Sequence, residues 1–107
     1  GGKTPQETLD IFIAALEKND LNLAVKYFVL EGNGEVNKEW NERLYEAKDK
    51  NEIETLIKYL SIAKPNLEDI SHDGDYKFLS LDENGDIVLY IDLERNRYSG
   101  VWKIESL

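Results

Sequence analysis

Residues 4–30 carry the clearest helical pattern of the chain. Thr4 and Pro5 form a helix-start signature, because a threonine hydroxyl accepts from a free amide and proline fits the first helical position. The apolar positions that follow share one helical face: Leu9, Phe12, Ile13 and Leu16. Asn19-Asp20 interrupts this spacing. A second, shorter helix is predicted from the apolar positions Leu21, Ala24, Val25 and Phe28.

Two more helices are predicted between residues 37 and 63. Asn37 is placed to cap the first of them, whose apolar face contains Trp40, Leu44 and Ala47. Asn51 with Glu54 resembles a capping box for the second helix. The apolar stripe of that helix is Ile53, Leu56, Ile57 and Leu60. Helical structure ends before Pro65, since the residue that precedes a proline avoids the α region.

Beyond Pro65 the apolar period changes to two, which is typical of strands. Strands are predicted at residues 67–72, 76–81, 87–93 and 98–104, and Asp73-Gly74, residues 82–86 and Asn96-Arg97 supply the turns. The third strand has a buried face of Ile87, Leu89, Ile91 and Leu93. Its other positions, Val88, Tyr90 and Asp92, alternate with that face.

Helices followed by an antiparallel meander indicate the α+β class. We expect the helices to pack on one face of a curved antiparallel sheet of three to four strands. Residues 1–107 form a single domain, and we expect residues 1–3 to be an extraneous or disordered start.

The charge balance argues against two classes of partner. Acidic residues outnumber basic ones 22 to 13, and the net charge of −9 repels phosphate backbones and anionic membrane surfaces. We therefore expect no nucleic acid partner. No apolar run approaches the roughly 20 residues of a membrane helix, so we expect no membrane insertion of this segment.

Cysteine and methionine are both absent, and the chain opens with Gly1-Gly2. The absence of cysteine excludes disulfides, thiolate metal sites and a cysteine nucleophile. Because there is no initiator methionine, we expect the native start to lie upstream, and a removed signal peptide fits that expectation.

Both ends of the chain resemble a known superfamily. Residues 4–16 read T-P-x-E-T-L-x-x-F-I-x-A-L, residues 19–28 read N-D-L-N-L-A-V-K-Y-F, and residues 100–107 read G-V-W-K-I-E-S-L. This order of parts is similar to cystatin-like, nuclear transport factor 2-like domains, and in style to small bacterial lipoprotein-like domains of unknown function. The resemblance implies a helical hairpin against a curved sheet, and an exported protein tethered near the cell envelope. The superfamily includes isomerases, dehydratases, transport factors and binding modules, so it selects no function.

Two sequence features carry candidate chemistry. Residues 82–86 combine three acids with a glycine, but the calcium-loop pattern wants glycine at the sixth position and glutamate at the twelfth, so a hairpin turn is favoured. His72 is the only histidine and precedes a predicted turn, where a surface role is favoured over catalysis. We predict no catalytic residue, no metal site and no cofactor.

The aromatic residues suggest a ligand pocket. In the resembled fold, the space between the first helix and the sheet can open into a pocket, where we would look for Tyr27, Tyr59, Tyr90, Asp92 and Trp102. Core filling is the competing interpretation for the aromatic side chains. Because Asp92 alternates with the apolar positions of its strand, solvent is the simplest place for it.

Three functions stay open. The first is a non-catalytic binding or interaction domain of an exported, envelope-associated bacterial protein, with an unknown small molecule or protein as partner. The second is a small enzyme of the isomerase or dehydratase type, in which a buried Asp and Tyr pair would move a proton beside a carbonyl. The third is a structural module that forms a homodimer through its sheet.

Overall fold

The structure, a computed structural model, describes residues 1–67 and 74–107. Within these residues the helices are α1 (Pro5–Glu17), α2 (Leu21–Val25), α3 (Lys38–Asp49) and α4 (Ile53–Ser61). The strands are β1 (Lys64–Pro65), β2 (Asp75–Leu81), β3 (Ile87–Arg95) and β4 (Trp102–Ser106). They pair in the order β1-β2-β3-β4, each pair antiparallel. This confirms the predicted α+β class, with helices packed against an antiparallel meander.

The sequence correctly predicts the caps of two helices. Thr4 Oγ1 accepts a hydrogen bond from the Glu7 amide at 3.1 Å, and Pro5 follows at the first helical position. Asn37 Oδ1 accepts from the Trp40 amide at 3.2 Å. Each bond satisfies an amide that the first helical turn leaves without a partner.

The predicted role of Asn51 is wrong. Asn51 has a φ of 58° and is the left-handed residue that follows α3, whereas α4 begins after Glu52, which makes no side-chain cap. Asparagine tolerates the left-handed region and also caps helix starts. An asparagine between two helices can therefore either end the first helix or cap the second, and Asn51 ends α3.

Phe28 lies outside the second helix, contrary to the prediction. α2 ends at Val25, and Phe28 forms a parallel bridge with Ile104 of β4. The Val29 amide donates to the Ile104 carbonyl, and the Ile104 amide donates to the Tyr27 carbonyl, both at 2.8 Å. These two bonds to β4 replace the next helical turn.

The strands differ from their predicted bounds mainly at the ends of the sheet. β4 begins at Trp102 rather than residue 98, because residues 96–100 are folded into a hydrogen-bonded turn. β1 lies at Lys64–Pro65, earlier than the predicted first strand. Leu67 is in a turn, and the rest of that predicted strand, with His72 and Asp73, lies outside the described residues.

One face of the sheet, called the inner face, packs against the helices. α1 contacts β4, and α4 contacts β2 and β3. The cross-strand pairs of this face are Tyr76 with Leu93, Phe78 with Ile91, and Ser80 with Leu89. Ile104 extends it on β4 and is fully buried. Phe28 covers it from the segment that follows α2. The helices cover this face with buried apolar side chains: Leu9, Phe12, Ala15, Leu16, Ala24 and Leu60.

The amino-terminal residues pack between α1 and β4. The buried Thr8 hydroxyl accepts from the Gly2 amide and donates to the Trp102 carbonyl, both at 2.9 Å. The Trp102 amide donates in turn to the Gly2 carbonyl. A Cβ at Gly2 would lie 2.7 Å from the Glu7 side chain, so the close fit favours glycine there. That residues 1–3 are extraneous to the natural domain stays a prediction.

Candidate functional site

Three aromatic rings pack against one another in or beside the core. Phe12 meets Phe28 edge to face, with ring centroids 5.4 Å apart. Phe28 stacks on Trp40, with centroids 5.0 Å apart. Phe12 and Phe28 are both 0% exposed. Core filling therefore describes these three rings, in agreement with the competing interpretation of the aromatic residues.

Two of the predicted pocket residues lie on the opposite, outer face of the sheet. Tyr90 is 54% exposed and pairs across the strands with Leu79. Asp92 is half-buried and accepts a hydrogen bond from the Ser106 hydroxyl at 3.2 Å. The outward position of Asp92 is the one that strand alternation predicts.

The other three predicted pocket residues are separated from that pair. Trp102 is half-buried on the inner face, with its ring 6.4 Å from Tyr76 and the Arg95 guanidinium 5.9 Å from its centre. Tyr27 packs at the edge of the core. Tyr59 lines a small groove of about 260 Å³ beside α4 and the β2–β3 turn. The five side chains do not share one cavity, and ligand binding by any of them stays a prediction.

The outer face of the sheet has an apolar end. Val88 and Tyr90 of β3 face outward and are 39% and 54% exposed. Ile87, for which alternation predicts a buried position, is 46% exposed at the first residue of β3, next to an irregularity in the pairing, so that part of the prediction is wrong. Leu79 lies directly opposite Tyr90, and Leu81 pairs with Ile87 at a bulge. We call Leu79, Val88 and Tyr90 the apolar end.

The other end of the same face is acidic. Asp75 pairs directly with Glu94, and Asp92 pairs with Lys77. Glu105 of β4 lies close enough to feel these three carboxylates electrostatically. We call Asp75, Asp92, Glu94 and Glu105 the acidic end. Two like charges in directly opposite positions, as in the Asp75–Glu94 pair, destabilise a sheet.

The proton affinity of Glu105 reflects this crowding. Burial is the largest cause that raises the pKa of the Glu105 carboxyl above its ordinary value. Repulsion from Glu94, Asp75 and Asp92 raises that pKa further, whereas Lys77 lowers it. The surroundings of Glu105 therefore disfavour the ionised form of its carboxyl.

The sequence indicates that β3 has apolar side chains on both faces, which the simple alternation of apolar and polar positions does not predict. Residues 87–91 read Ile-Val-Leu-Tyr-Ile, so the positions facing outward are apolar as well as those facing inward. A strand with apolar side chains on both faces is typical of a strand covered on both sides. The helices of the described chain cover only one side.

The β2–β3 connection is a turn, as predicted. Asp82 Oδ1 accepts from the amides of Asn84 and Asp86, both at 2.9 Å, and Gly85 has a φ of +83°. The Asp82 carboxylate thus bonds its own loop. In the part of the chain that the structure describes, no group of three or more His, Asp or Glu side chains is arranged to hold a metal ion.

A groove of about 600 Å³ separates the end of α1 from the junction of α3 and α4. Its floor is apolar, with Leu16, Ile53 and Ile57, and its rim carries Glu17 and Lys48 among exposed polar residues. No buried polar side chain points into it within the described residues.

Comparisons with known proteins find no match: neither a protein-family model, nor a curated protein, nor a solved structure matches this chain. The observed architecture is compatible with a cystatin-like fold. Among the described helices, none has both the length and the apolar character needed to cross a membrane.

Proposed function

We propose that this chain is a non-catalytic protein-binding domain whose outer sheet face is the contact surface. The observation that carries the proposal is the apolar end, where Val88 and Tyr90 are exposed on one face of β3 and Leu79 lies opposite Tyr90. Contiguous exposed apolar surface of this kind marks interaction sites on folded proteins. The surface is preformed, because β3 is held between two paired neighbours.

The composition of the apolar end suits protein contact. Tyrosine is enriched at binding hot spots, since it offers a large apolar area, a hydrogen-bonding tip and few rotatable bonds. Complete burial of a fully exposed large apolar side chain contributes roughly 1.5–3 kcal/mol, and Tyr90 and Val88, at 54% and 39% exposed, would contribute about half of that each. A partner that covers Tyr90 and Val88 together would therefore gain a useful share of a micromolar affinity.

We assign the domain to the cystatin-like, nuclear transport factor 2-like superfamily and to an exported, envelope-associated protein. The support for this assignment is the resemblance of residues 4–28 and 100–107, together with the helices-then-meander order of the fold. Fractionation of the producing cells tests the location. Recovery of the protein in the cytoplasmic fraction alone would contradict it.

Site-specific crosslinking tests the contact surface. A photoreactive phenylalanine analogue is placed at Tyr90 and, as a matched control, at Tyr45 on α3, which is also an exposed tyrosine at 38%. In the producing cells, we expect a discrete adduct from position 90 and none from position 45. Adducts from both positions in equal yield, or from neither, would contradict the outer face as the binding surface.

A further inference from the structure

The outer face is divided along the strands into two chemically different ends. On adjacent strands, Leu79 opposite Tyr90 marks the apolar end. One step along the same face, Lys77 lies opposite Asp92, and one step further Asp75 lies opposite Glu94. Successive side chains on one face of a strand are about 7 Å apart. A partner that covers the apolar end and extends more than this distance along the strands therefore also covers carboxylates.

The basic residues of this face do not balance the acidic end. Lys77 lies opposite Asp92, among the carboxylates, and lowers the pKa of Glu105. Lys103 pairs with Glu94 through the backbone, but its ammonium donates to the Lys26 carbonyl at 2.7 Å, around the edge of β4. The acidic end thus keeps an excess of negative charge, which a cationic group from outside would offset.

A second copy of this chain is a poor occupant of the face. In a two-fold interface the same patch meets itself, so acidic ends would face either each other or an apolar end. Each chain also carries a net charge of −9, which opposes association of two copies. β3 has nine residues, and the sheet has four strands, one of them short. The face therefore offers on the order of 500 Å², which is near the lower limit of a stable interface for any partner, so charge rather than area distinguishes a second copy from a cationic partner.

We infer that the outer face binds a cationic protein surface, in which apolar side chains cover Tyr90 and its neighbours while Lys or Arg side chains meet Asp92, Glu94 and Glu105. This inference rests on the proposed function and specifies the chemistry of its partner. On an interface of this small area, complementary charges guide association and fix the register of the two surfaces.

Peptide binding to the full chain tests the charge requirement. The probes are a peptide of about 10 residues that alternates leucine and lysine, long enough to follow β3, and its counterpart with glutamate at each lysine position. We expect the lysine peptide to bind and the glutamate peptide to show no measurable binding. Equal binding of the two peptides, or no binding of the lysine peptide, overturns the inference.

A matched pair of variants separates local from overall charge. Glu94→Gln with Glu105→Gln removes two charges from the acidic end, and Glu17→Gln with Glu42→Gln removes two exposed charges from the helices. We expect the first pair to weaken lysine-peptide binding roughly tenfold and the second pair less than twofold. Equal weakening by the two pairs overturns the inference, because it would show attraction by net charge alone.

Two further results distinguish this inference from the proposed function. Self-association in sedimentation, abolished by Tyr90→Ser, would replace the cationic partner with a second copy and leave the outer face as the binding surface. An adduct at position 90 combined with failure of the charge variants would likewise overturn the inference alone. Absence of any adduct at position 90 would remove the proposed function itself.

Discussion

The two faces of the sheet are built by the same strands but differ in what covers them. On β3, Ile91 and Leu93 are 0% and 1% exposed, whereas Tyr90 beside them is 54% exposed. Successive side chains alternate between the faces, so one step along the strand moves from a packed core to solvent. The inner face therefore contributes buried side chains to the core, while Tyr90 on the outer face is left in solvent.

The largest expected effect is the loss of a ring from the inner side. Phe28→Ala removes a side chain that is 0% exposed and contacts both Phe12 and Trp40. We expect the free energy of unfolding to fall by about 3–5 kcal/mol, because a cavity remains where the ring was. Urea unfolding of the wild-type and variant proteins measures this change in the free energy of unfolding. A loss below about 1 kcal/mol would break the distinction between the two faces.

A smaller effect is expected from the hydroxyl between α1 and β4. Thr8→Val keeps the shape of the side chain but leaves the Gly2 amide and the Trp102 carbonyl without their bonds to it. We expect the free energy of unfolding to fall by about 1–3 kcal/mol. The control is Thr55→Val at an exposed position of α4. Similar losses in the two variants would show that the bonds of Thr8 contribute little.

We expect a substitution on the outer face to have little effect on the free energy of unfolding. Tyr90→Ser removes a ring that is mostly in solvent, and we expect the free energy of unfolding to change by no more than about 0.5 kcal/mol. The same variant should lose binding of the lysine peptide. A large loss of stability without loss of binding would reverse the roles assigned to the two faces.

The smallest effect depends on pH. Because the folded state raises the pKa of Glu105, it binds this proton more tightly than the unfolded chain does. The contribution of Glu105 to stability is therefore fully present below the ordinary glutamate pKa and is lost as the pH rises through the raised value. Glu105→Gln should stabilise the domain at neutral pH by about 0.3 kcal/mol, a small value because the side chain is largely exposed to salt and water.

Thermal unfolding of both proteins over a range of pH checks this sign. The advantage of Glu105→Gln should diminish as the pH falls through the raised pKa of Glu105 and should be absent below the ordinary value for glutamate, about 4.3. Glu17→Gln serves as the control, at an exposed position on α1. An advantage that grows toward acidic pH would mean that the carboxylate is favoured in the folded state.

Strong periodicity made α1 and β3 predictable. Leu9, Phe12 and Leu16 are buried as their spacing indicates, and Leu89, Ile91 and Leu93 point inward as their alternation indicates. In both elements the local pattern and the tertiary burial agree, so a single sequence carries enough information.

Long-range pairing made other features unpredictable. Phe28 continues the apolar spacing of α2, yet it leaves the helix because Ile104 offers backbone hydrogen bonds far along the chain. Nothing local to Phe28 reveals that partner. Analogy with the resembled fold predicts Tyr90 and Trp102 in one pocket, whereas the strand register assigns them to opposite faces of the sheet.

The bridge between Phe28 and Ile104 has a consequence for the order of folding. β3 and β4 adjoin in sequence and can pair early, because closing a short loop loses little chain entropy. The other edge of β4 gains its partners only when residues 27–29 and Gly2 arrive from the opposite end of the chain. Until then, that edge has unpaired amides and carbonyls that can pair with strands of other molecules. Docking of the amino-terminal segment is therefore also the step that protects the folding chain from aggregation.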